Sequence, residues 1–163
     1  MMKTTRMMMI SEPMIRRGNL GDLEGIEKVE NRAFGEHAYD HQALQYMLAI
    51  ANSVTTVATV DGTIVAYATV YFRKNSSISH LESIAVDPDY QGTGIGKILI
   101  REVDRVSEER GCSRIVLETF EKNVSALNLY VRSGYKVKEL VLNYYRTPYR
   151  GSRNAIRLEK SLD

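Results

Sequence analysis

The chain has 163 residues, 44% hydrophobic and 26% charged, which fits one globular domain with a single sizeable core. Its 22 basic and 20 acidic residues leave a formal charge of +2, which excludes a polyanion binder whose whole surface is basic. A single cysteine, Cys112, excludes an internal disulfide, no run of about 18 apolar residues marks a membrane span, and the expected compartment is the cytoplasm.

Residues 1–13 are expected to form a flexible tail ahead of one domain over 14–163, since Met7-Met8-Met9-Ile10 is too short for a signal-peptide core of about 7–15 residues. Met14-Ile15-Arg16 reads as a short first strand. Asp22 is placed to cap a helix carrying Leu23, Ile26, Val29 and Glu30, which Gly35 ends. His41 to Ala51, with Leu44, Met47 and Leu48, reads as a second helix. Thr55–Val60 and Thr63–Phe72 flank Asp61-Gly62, a strong hairpin signal. After a polar loop, Arg73 to Ser79, a fourth strand runs from His80 to Val86 and stops at Asp87-Pro88. Lys97 to Arg110 is an amphipathic helix with Ile95, Ile98, Leu99, Val103 and Val106 as its buried stripe, ended by Gly111. Ser113–Phe120 reads as a fifth strand. A helix then starts at Asn123 and closes at Gly134, and Tyr135–Leu142 and Asn154–Leu158 are the last two strands. The result is a mixed sheet flanked by helices, an α/β arrangement.

The segment between the fourth strand and the next helix, Gln91-Gly92-Thr93-Gly94-Ile95-Gly96-Lys97, carries three alternating glycines. Such a turn frees backbone N–H groups at a helix N-terminus, where the dipole favours an anion and small residues let phosphate oxygens approach. Its spacing excludes two common phosphate loops. A nucleotide-triphosphate loop needs Gly, four residues, then Gly-Lys-Ser/Thr, but Gln91 stands five before Gly96 and Ile98 follows Lys97. A dinucleotide fingerprint needs a glycine where Lys97 stands.

Ser83-Ile84-Ala85-Val86-Asp87-Pro88 followed by this loop resembles the acetyl-CoA signature of the GNAT superfamily. Val116-Leu117-Glu118, Asn123, Ala126, Leu127, Tyr130, Ser133-Gly134-Tyr135 and Asn143-Tyr144-Tyr145 resemble its protein N-terminal acetyltransferase branch, above all bacterial ribosomal-protein alanine acetyltransferases and archaeal Ard1-type enzymes. The resemblance runs from about Ile15 to the C-terminus. It implies a mostly antiparallel sheet of about seven strands, flanked by about four helices and splayed between strands four and five. It also implies acetyl-CoA as co-substrate. The strand around Ile84, Ala85 and Val86 would meet the pantetheine arm, the amides of Gln91, Gly92, Thr93, Gly94, Ile95, Gly96 and Lys97 the pyrophosphate, and Asn123, Ala126 and Tyr130 the thioester end.

The chemistry needs a neutral amine, a stabilised oxyanion and a proton for the leaving thiolate. An α-amine, with a pKa of about 7.7–8.0, needs far less help than a lysine at about 10.4, so one carboxylate or histidine acting through water suffices. Glu118 interrupts the apolar run Ile115-Val116-Leu117, where a carboxylate buried without purpose is costly, and is the first candidate base. The bland alternative is an edge glutamate facing solvent. His80 is the second candidate; period-two alternation puts it on one face with Glu82, Ile84 and Val86, and Leu81, Ser83 and Ala85 on the other. Glu82 is a rival base, ranked below Glu118. Tyr130, one turn after Ala126, is the candidate acid; the alternative is a core tyrosine.

Phe34, Glu36 and Tyr39 between the first two helices, with Tyr144 and Tyr145 in the late loop, are implied to grip the first residues of a peptide. The basic run Arg146 to Arg153 suits acidic peptides or ribosomal surfaces, or is a solvated loop. Cys112 reads as a small structural residue, and no metal-ligand spacing is present. The expected partners are protein or peptide N-termini, including ribosomal proteins or nascent chains, with an auxiliary subunit as a further option and no nucleic acid or membrane. Two rival readings stand beside this one: acetylation of a small amine, such as a polyamine or aminoglycoside, and a non-catalytic CoA-binding or ribosome-docking module.

Overall fold

A computed structural model describes residues 11–163; residues 1–10, most of the expected tail, lie outside it. The elements are β1 Met14–Arg17, α1 Leu23–Phe34, α2 His41–Ala49, β2 Ser53–Val60, β3 Thr63–Phe72, β4 Ile78–Val86, α3 Ile95–Glu109, β5 Arg114–Phe120, α4 Val124–Arg132, β6 Lys136–Val141 and β7 Ala155–Ser161. The seven strands form one sheet in the order β1-β2-β3-β4-β5-β7-β6, antiparallel except where β4 meets β5.

Local chemistry explains most boundaries. Asp61 and Gly62 take φ of 50° and 80°, the left-handed pair that a two-residue hairpin needs, and Val60 pairs with Thr63 around them. Asp22 does not cap α1, contrary to expectation. Asn19 caps a preceding 3-10 turn, Leu20–Asp22, by accepting from Gly21 N–H, and Asp22 accepts from Asn19 N–H while pairing with both terminal nitrogens of Arg16. The carboxylate expected at the helix start is held by the strand beside it. Asn123 does cap α4, its side chain accepting from Ala126 N–H.

Two hydrophobic layers sandwich the sheet. On one face Ile95, Leu99, Ile100 and Val103 of α3 and Tyr130 of α4 pack against Ala66, Ala68, Val70, Leu81, Ile115 and Leu117. On the other, Ile26 and Val29 of α1 and Leu44 and Met47 of α2 pack against Val57, Tyr67 and Ala85. Burying each of these aliphatic side chains contributes about 1.5–3 kcal/mol. Cys112 is buried at the edge of the first layer.

Two departures from regular pairing shape the site. The first is a β-bulge in β4. Thr69 pairs with Ser83 and Val70 with Leu81, so Glu82 is an extra residue with no partner on β3. This overturns the period-two reading. Ser79 bonds Ser107 of α3 and Leu81 lies in the α3 layer, yet Ser83 bonds Tyr67 and Ala85 lies in the α1 layer. His80 therefore does not share a face with Ile84 and Val86, which pack on the α3 side. The second departure is the splay. β4 and β5 pair only through Ile78–His80 with Arg114–Val116, and beyond His80 their facing edges part.

Candidate active site

The splay opens a notch through the sheet, with different chemistry at its two mouths. On the α3 side the chain turns from β4 into α3 through the glycine loop. Gly92 and Gly94 take φ of 78° and 91°, a region closed to most side chains, and nothing lies within 4 Å of where a Cβ would stand on either. Gly94 occupies the N-cap without a side-chain cap, and the first helical bond runs from Ile98 N–H to Gly94 C=O. Among the described residues the amides of Ile95, Gly96 and Lys97 thus have no protein acceptor, the orphan donors of an open helix start. α3 begins two residues before its expected start because Gly94 turns the chain directly into it. Gly96 serves packing as well: a Cβ there would stand 3.1 Å from Leu129 Cδ2, so its lack of a side chain lets α4 approach α3.

Next to this cradle, the β5-facing edge of β4 from Leu81 to Val86 has no strand partner. Gln91 Nε2 donates to Val86 C=O at 3.1 Å, tying the loop back to the strand. A free strand edge, an open helix start and two glycines in left-handed conformation fit an extended ligand ending in a diphosphate. The candidate donor-binding residues Ile84, Ala85, Val86, Gln91 to Lys97, Asn123, Ala126 and Tyr130 all lie on β4, on this loop or on α3 and α4. Tyr130 is buried, its ring edge-on to Tyr135 with centroids 5.8 Å apart, and burial alone pushes its hydroxyl pKa well above the ordinary value.

The mouth on the α1 side is built from charge. Glu118 of β5 accepts three hydrogen bonds: from His80 Nε2 at 2.6 Å, from Arg157 Nε at 2.8 Å and from the Tyr144 hydroxyl at 3.2 Å. Its side chain is only 7% exposed. Burial alone would raise its pKa, but the bonds and charges of His80 and Arg157 outweigh burial and bring it to about 2. It is thus neither a solvent-facing edge residue nor an unpaired buried charge. His80 Nδ1 lies 3.0 Å from Glu82 Oε2, so the imidazole bridges two carboxylates. Burial works against its charge, yet Glu118 and Glu82 prevail and lift its pKa to about 9. Glu82, on the bulge, accepts from the Tyr39 hydroxyl at 2.9 Å and is 23% exposed.

Tyr39 and Tyr144 reach this cluster from opposite sides, Tyr39 from the α1–α2 connection and Tyr144 from the β6–β7 loop. The Tyr144 hydroxyl is raised to about 12 by burial and by Glu118. The two loops are fastened to each other. His37 Nε2 lies 2.8 Å from Pro148 C=O, and its ring meets Phe120 and Tyr149 edge-on. Phe120 stacks on Tyr145 at 3.7 Å, and Tyr145 meets Tyr144 edge-on at 4.9 Å. The other two residues assigned to peptide binding lie apart from the cluster. Phe34 packs into the α1–α2 layer, and Glu36 stands exposed in a 3-10 turn.

Three contributors were not legible in the sequence. Arg157 looks like a stray charge in the last strand, but β7 sets it directly opposite Glu118 on β5 and Glu139 on β6. It also bonds Glu139. Glu30 lies 1% exposed within α1, accepting from the Tyr67 hydroxyl at 2.6 Å and Tyr39 N–H at 2.9 Å, with its pKa raised by burial. His37 signals nothing without its distant partner Pro148. Among the described residues no group of three His, Cys, Asp or Glu side chains is arranged to hold a metal ion, and no helix is long and apolar enough to cross a membrane.

A mixed seven-stranded sheet, parted beside a glycine-rich helix start, with paired carboxylates across the notch, defines an acyl-transfer fold. Residues 23–135 match the acetyltransferase (GNAT) family, and the chain belongs to that family. An uncharacterized N-acetyltransferase of Methanocaldococcus jannaschii is 30% identical over 132 residues, 80% of this chain and 83% of that protein. The ribosomal protein bS18-alanine N-acetyltransferase of Escherichia coli is 39% identical over 67 residues, 41% of this chain and 45% of that protein. The glucosamine 6-phosphate N-acetyltransferase of Trypanosoma brucei brucei is 33% identical over 69 residues, 42% of this chain and 45% of that protein. These last two matches span less than half of either relative. The crystal structure of the Escherichia coli ribosomal-protein-S18-alanine N-acetyltransferase superposes with a TM-score of 0.83 at 25% identity, covering 93% of this chain and 95% of that one.

Proposed function

We propose that this acetyltransferase moves the acetyl group of acetyl-CoA to the N-terminal α-amine of a protein or peptide. The observation that carries the reading is the α1-side mouth, where hydroxyls from two separate loops, Tyr39 and Tyr144, each bond one of two carboxylates set across the splay. A chain end entering there meets hydrogen-bonding groups on both flanks and the carboxylates at the bottom. The likeness in sequence and fold to an enzyme that acts on the alanine of a ribosomal protein supports the same acceptor class here.

Acetyl-CoA supplies an acetyl thioester, and the chain's own residues do the rest. The amides of Ile95, Gly96 and Lys97 and the loop before them hold the diphosphate at the α3 dipole. The free edge around Ile84 to Val86 aligns the arm. The carboxylates, with His80 held between them as an imidazolium, receive the amine and take up its proton, an undemanding task because an α-amine titrates near about 8. Tyr130, its proton held tightly by burial, gives one to the departing sulfur. Ribosomal proteins or nascent chains in the cytoplasm are the substrates this reading favours, with the basic stretch 146–153 beside the mouth.

One observation favours a second reading. Two carboxylates at an acceptor mouth also suit a small polyamine or amino sugar, and one relative is named for a glucosamine phosphate. Here, however, His80 and Arg157 cancel two of the three charges of Glu82, Glu118 and Glu139, so the cluster keeps a single net negative charge, which suits one ammonium better than a polycation. The two readings separate in one assay. With acetyl-CoA and a panel of peptides with free N-termini, their N-blocked lysine-containing counterparts, spermidine and glucosamine 6-phosphate, CoA release is expected from the free N-termini. Release from spermidine or the sugar alone overturns the reading, and silence with every amine favours a binding module.

A further inference from the structure

The two carboxylates of the notch are not equivalent, and the residue that makes them differ lies outside the glycine loop and the tyrosine loops. Glu118 has its oxygens committed: Oε1 accepts from His80 and Tyr144, and Oε2 accepts from Arg157. Glu82 accepts one hydrogen bond, from Tyr39, and lies at ion-pair distance from His80. Its side chain is also more accessible, 23% against 7%. A carboxylate oxygen has lone pairs for about two partners, so Glu82 keeps free acceptor sites toward the notch while Glu118 has nearly exhausted its own.

Charges alternate in a chain across four strands: Glu139 on β6, Arg157 on β7, Glu118 on β5, His80 and Glu82 on β4. Only Glu118 lies between two cations; Glu139 and Glu82 end the chain, each with a cation on one side only. An incoming ammonium can continue the alternation only at an end, and Glu82, on β4 beside the splay, is the end that lies at the notch.

Resting on the acyl-transfer reading above, we propose that Arg157 is a positioning residue that assigns the proton acceptor: by occupying Glu118 it leaves Glu82 to receive the amine and take its proton. In the step itself a bond forms between the amine nitrogen and the donor's acetyl carbon as the carbon–sulfur bond breaks. The proton shed by nitrogen ends on a Glu82 oxygen, directly or through one water, and the sulfur leaves with the Tyr130 proton. Glu118 keeps its charge throughout, holding Tyr144 at the mouth and the imidazolium of His80 against Glu82.

Two measurements test this. The first needs no turnover: His80 is titrated by NMR in wild type, Arg157→Met and Glu118→Gln. Its midpoint is expected near pH 9 in wild type, to rise by about half a unit or more in Arg157→Met, where Glu118 has His80 as its only cation, and to fall by about a unit or more in Glu118→Gln. Arg157→Lys, which keeps a cation opposite Glu118, is expected to stay near wild type. An unmoved midpoint in a folded Arg157→Met protein overturns the idea that Arg157 shares Glu118.

The second measurement compares kcat for Glu82→Gln and Glu118→Gln on whichever amine the wild type acetylates. Glu82→Gln is expected to lose about 100-fold or more and Glu118→Gln about tenfold or less, with the gap shrinking in the Arg157→Met background. A larger loss from Glu118→Gln with Arg157 in place sinks the assignment even if Arg157→Met fails to fold. Silence of the wild type with every amine instead sinks the acyl-transfer reading, and the histidine titration still decides what Arg157 does.

Discussion

The two mouths of the notch are made of different materials. The α3-side mouth is backbone: seven consecutive residues, two glycines in left-handed conformation and a helix start without a cap. The α1-side mouth is side chains gathered from five separate stretches, with Tyr39, His80, Glu82, Glu118, Tyr144 and Arg157 spread over most of the chain. A backbone site tolerates change in side chains but not in φ, whereas a side-chain site survives local backbone strain and fails when one charge is removed. That asymmetry orders the effects expected of substitutions.

The largest effect on substrate binding falls on the backbone mouth. Gly94→Val forces a β-branched residue to φ 91°, which costs about 1–3 kcal/mol of stability and turns the first amides of α3 away from the ligand. The KM for acetyl-CoA is expected to rise tenfold or more (about 1.4 kcal/mol of binding), with the KM for the amine near wild type. Equal changes in both constants would show that the mouths are not independent.

A smaller effect is expected at the other mouth. Tyr144→Phe removes one hydrogen bond to an ionised carboxylate, worth about 1.5–3 kcal/mol, so the amine KM is expected to rise about tenfold while the acetyl-CoA KM stays put. Steady-state kinetics with each substrate varied in turn separates the two, and a rise confined to acetyl-CoA would contradict the assignment of Tyr144 to the acceptor side.

The smallest and most diagnostic effect is in stability against pH. Glu118 is lowered from its ordinary 4.5 to about 2, so its contribution is full above pH 4.5 and is lost as pH falls toward 2. His80 is raised from 6.5 to about 9, so its contribution is full below pH 6.5 and is lost as pH rises toward 9. Thermal melts of wild type minus Glu118→Gln are expected to peak between pH 4.5 and 6.5 and to fall on both sides. A difference that does not vary with pH would show that the cluster contributes nothing through its charges.

The same asymmetry sets how much the sequence reveals. The glycine loop, the hairpin at Asp61-Gly62 and the cap at Asn123 are local, and their turn and cap chemistry is readable from adjacent residues. The strands and helices along the chain are readable from periodicity, whereas the splay between the fourth and fifth strands was expected only from the resemblance to the GNAT pattern. Arg157, Glu30 and the His37–Pro148 contact were illegible because each has meaning only beside a partner far along the chain. Asp22 misled for the opposite reason: its capping signature is real, but Arg16, six residues earlier, binds the same carboxylate. The faces of β4 were misread because alternation assumes a strand without interruptions, and a bulge leaves no mark in hydrophobicity.

That bulge has a genetic consequence. With Glu82 removed, Ser79, Leu81, Ile84 and Val86 fall into strict alternation on the α3 face, and His80, Ser83 and Ala85 on the α1 face, the faces these residues already occupy. The strand is complete without Glu82. Deleting its codon is expected to remove the carboxylate while leaving every neighbour on its present face, whereas deleting a residue of the regularly paired part of β4, such as Ile84 or Ala85, would move the residues beyond the cut to the opposite face.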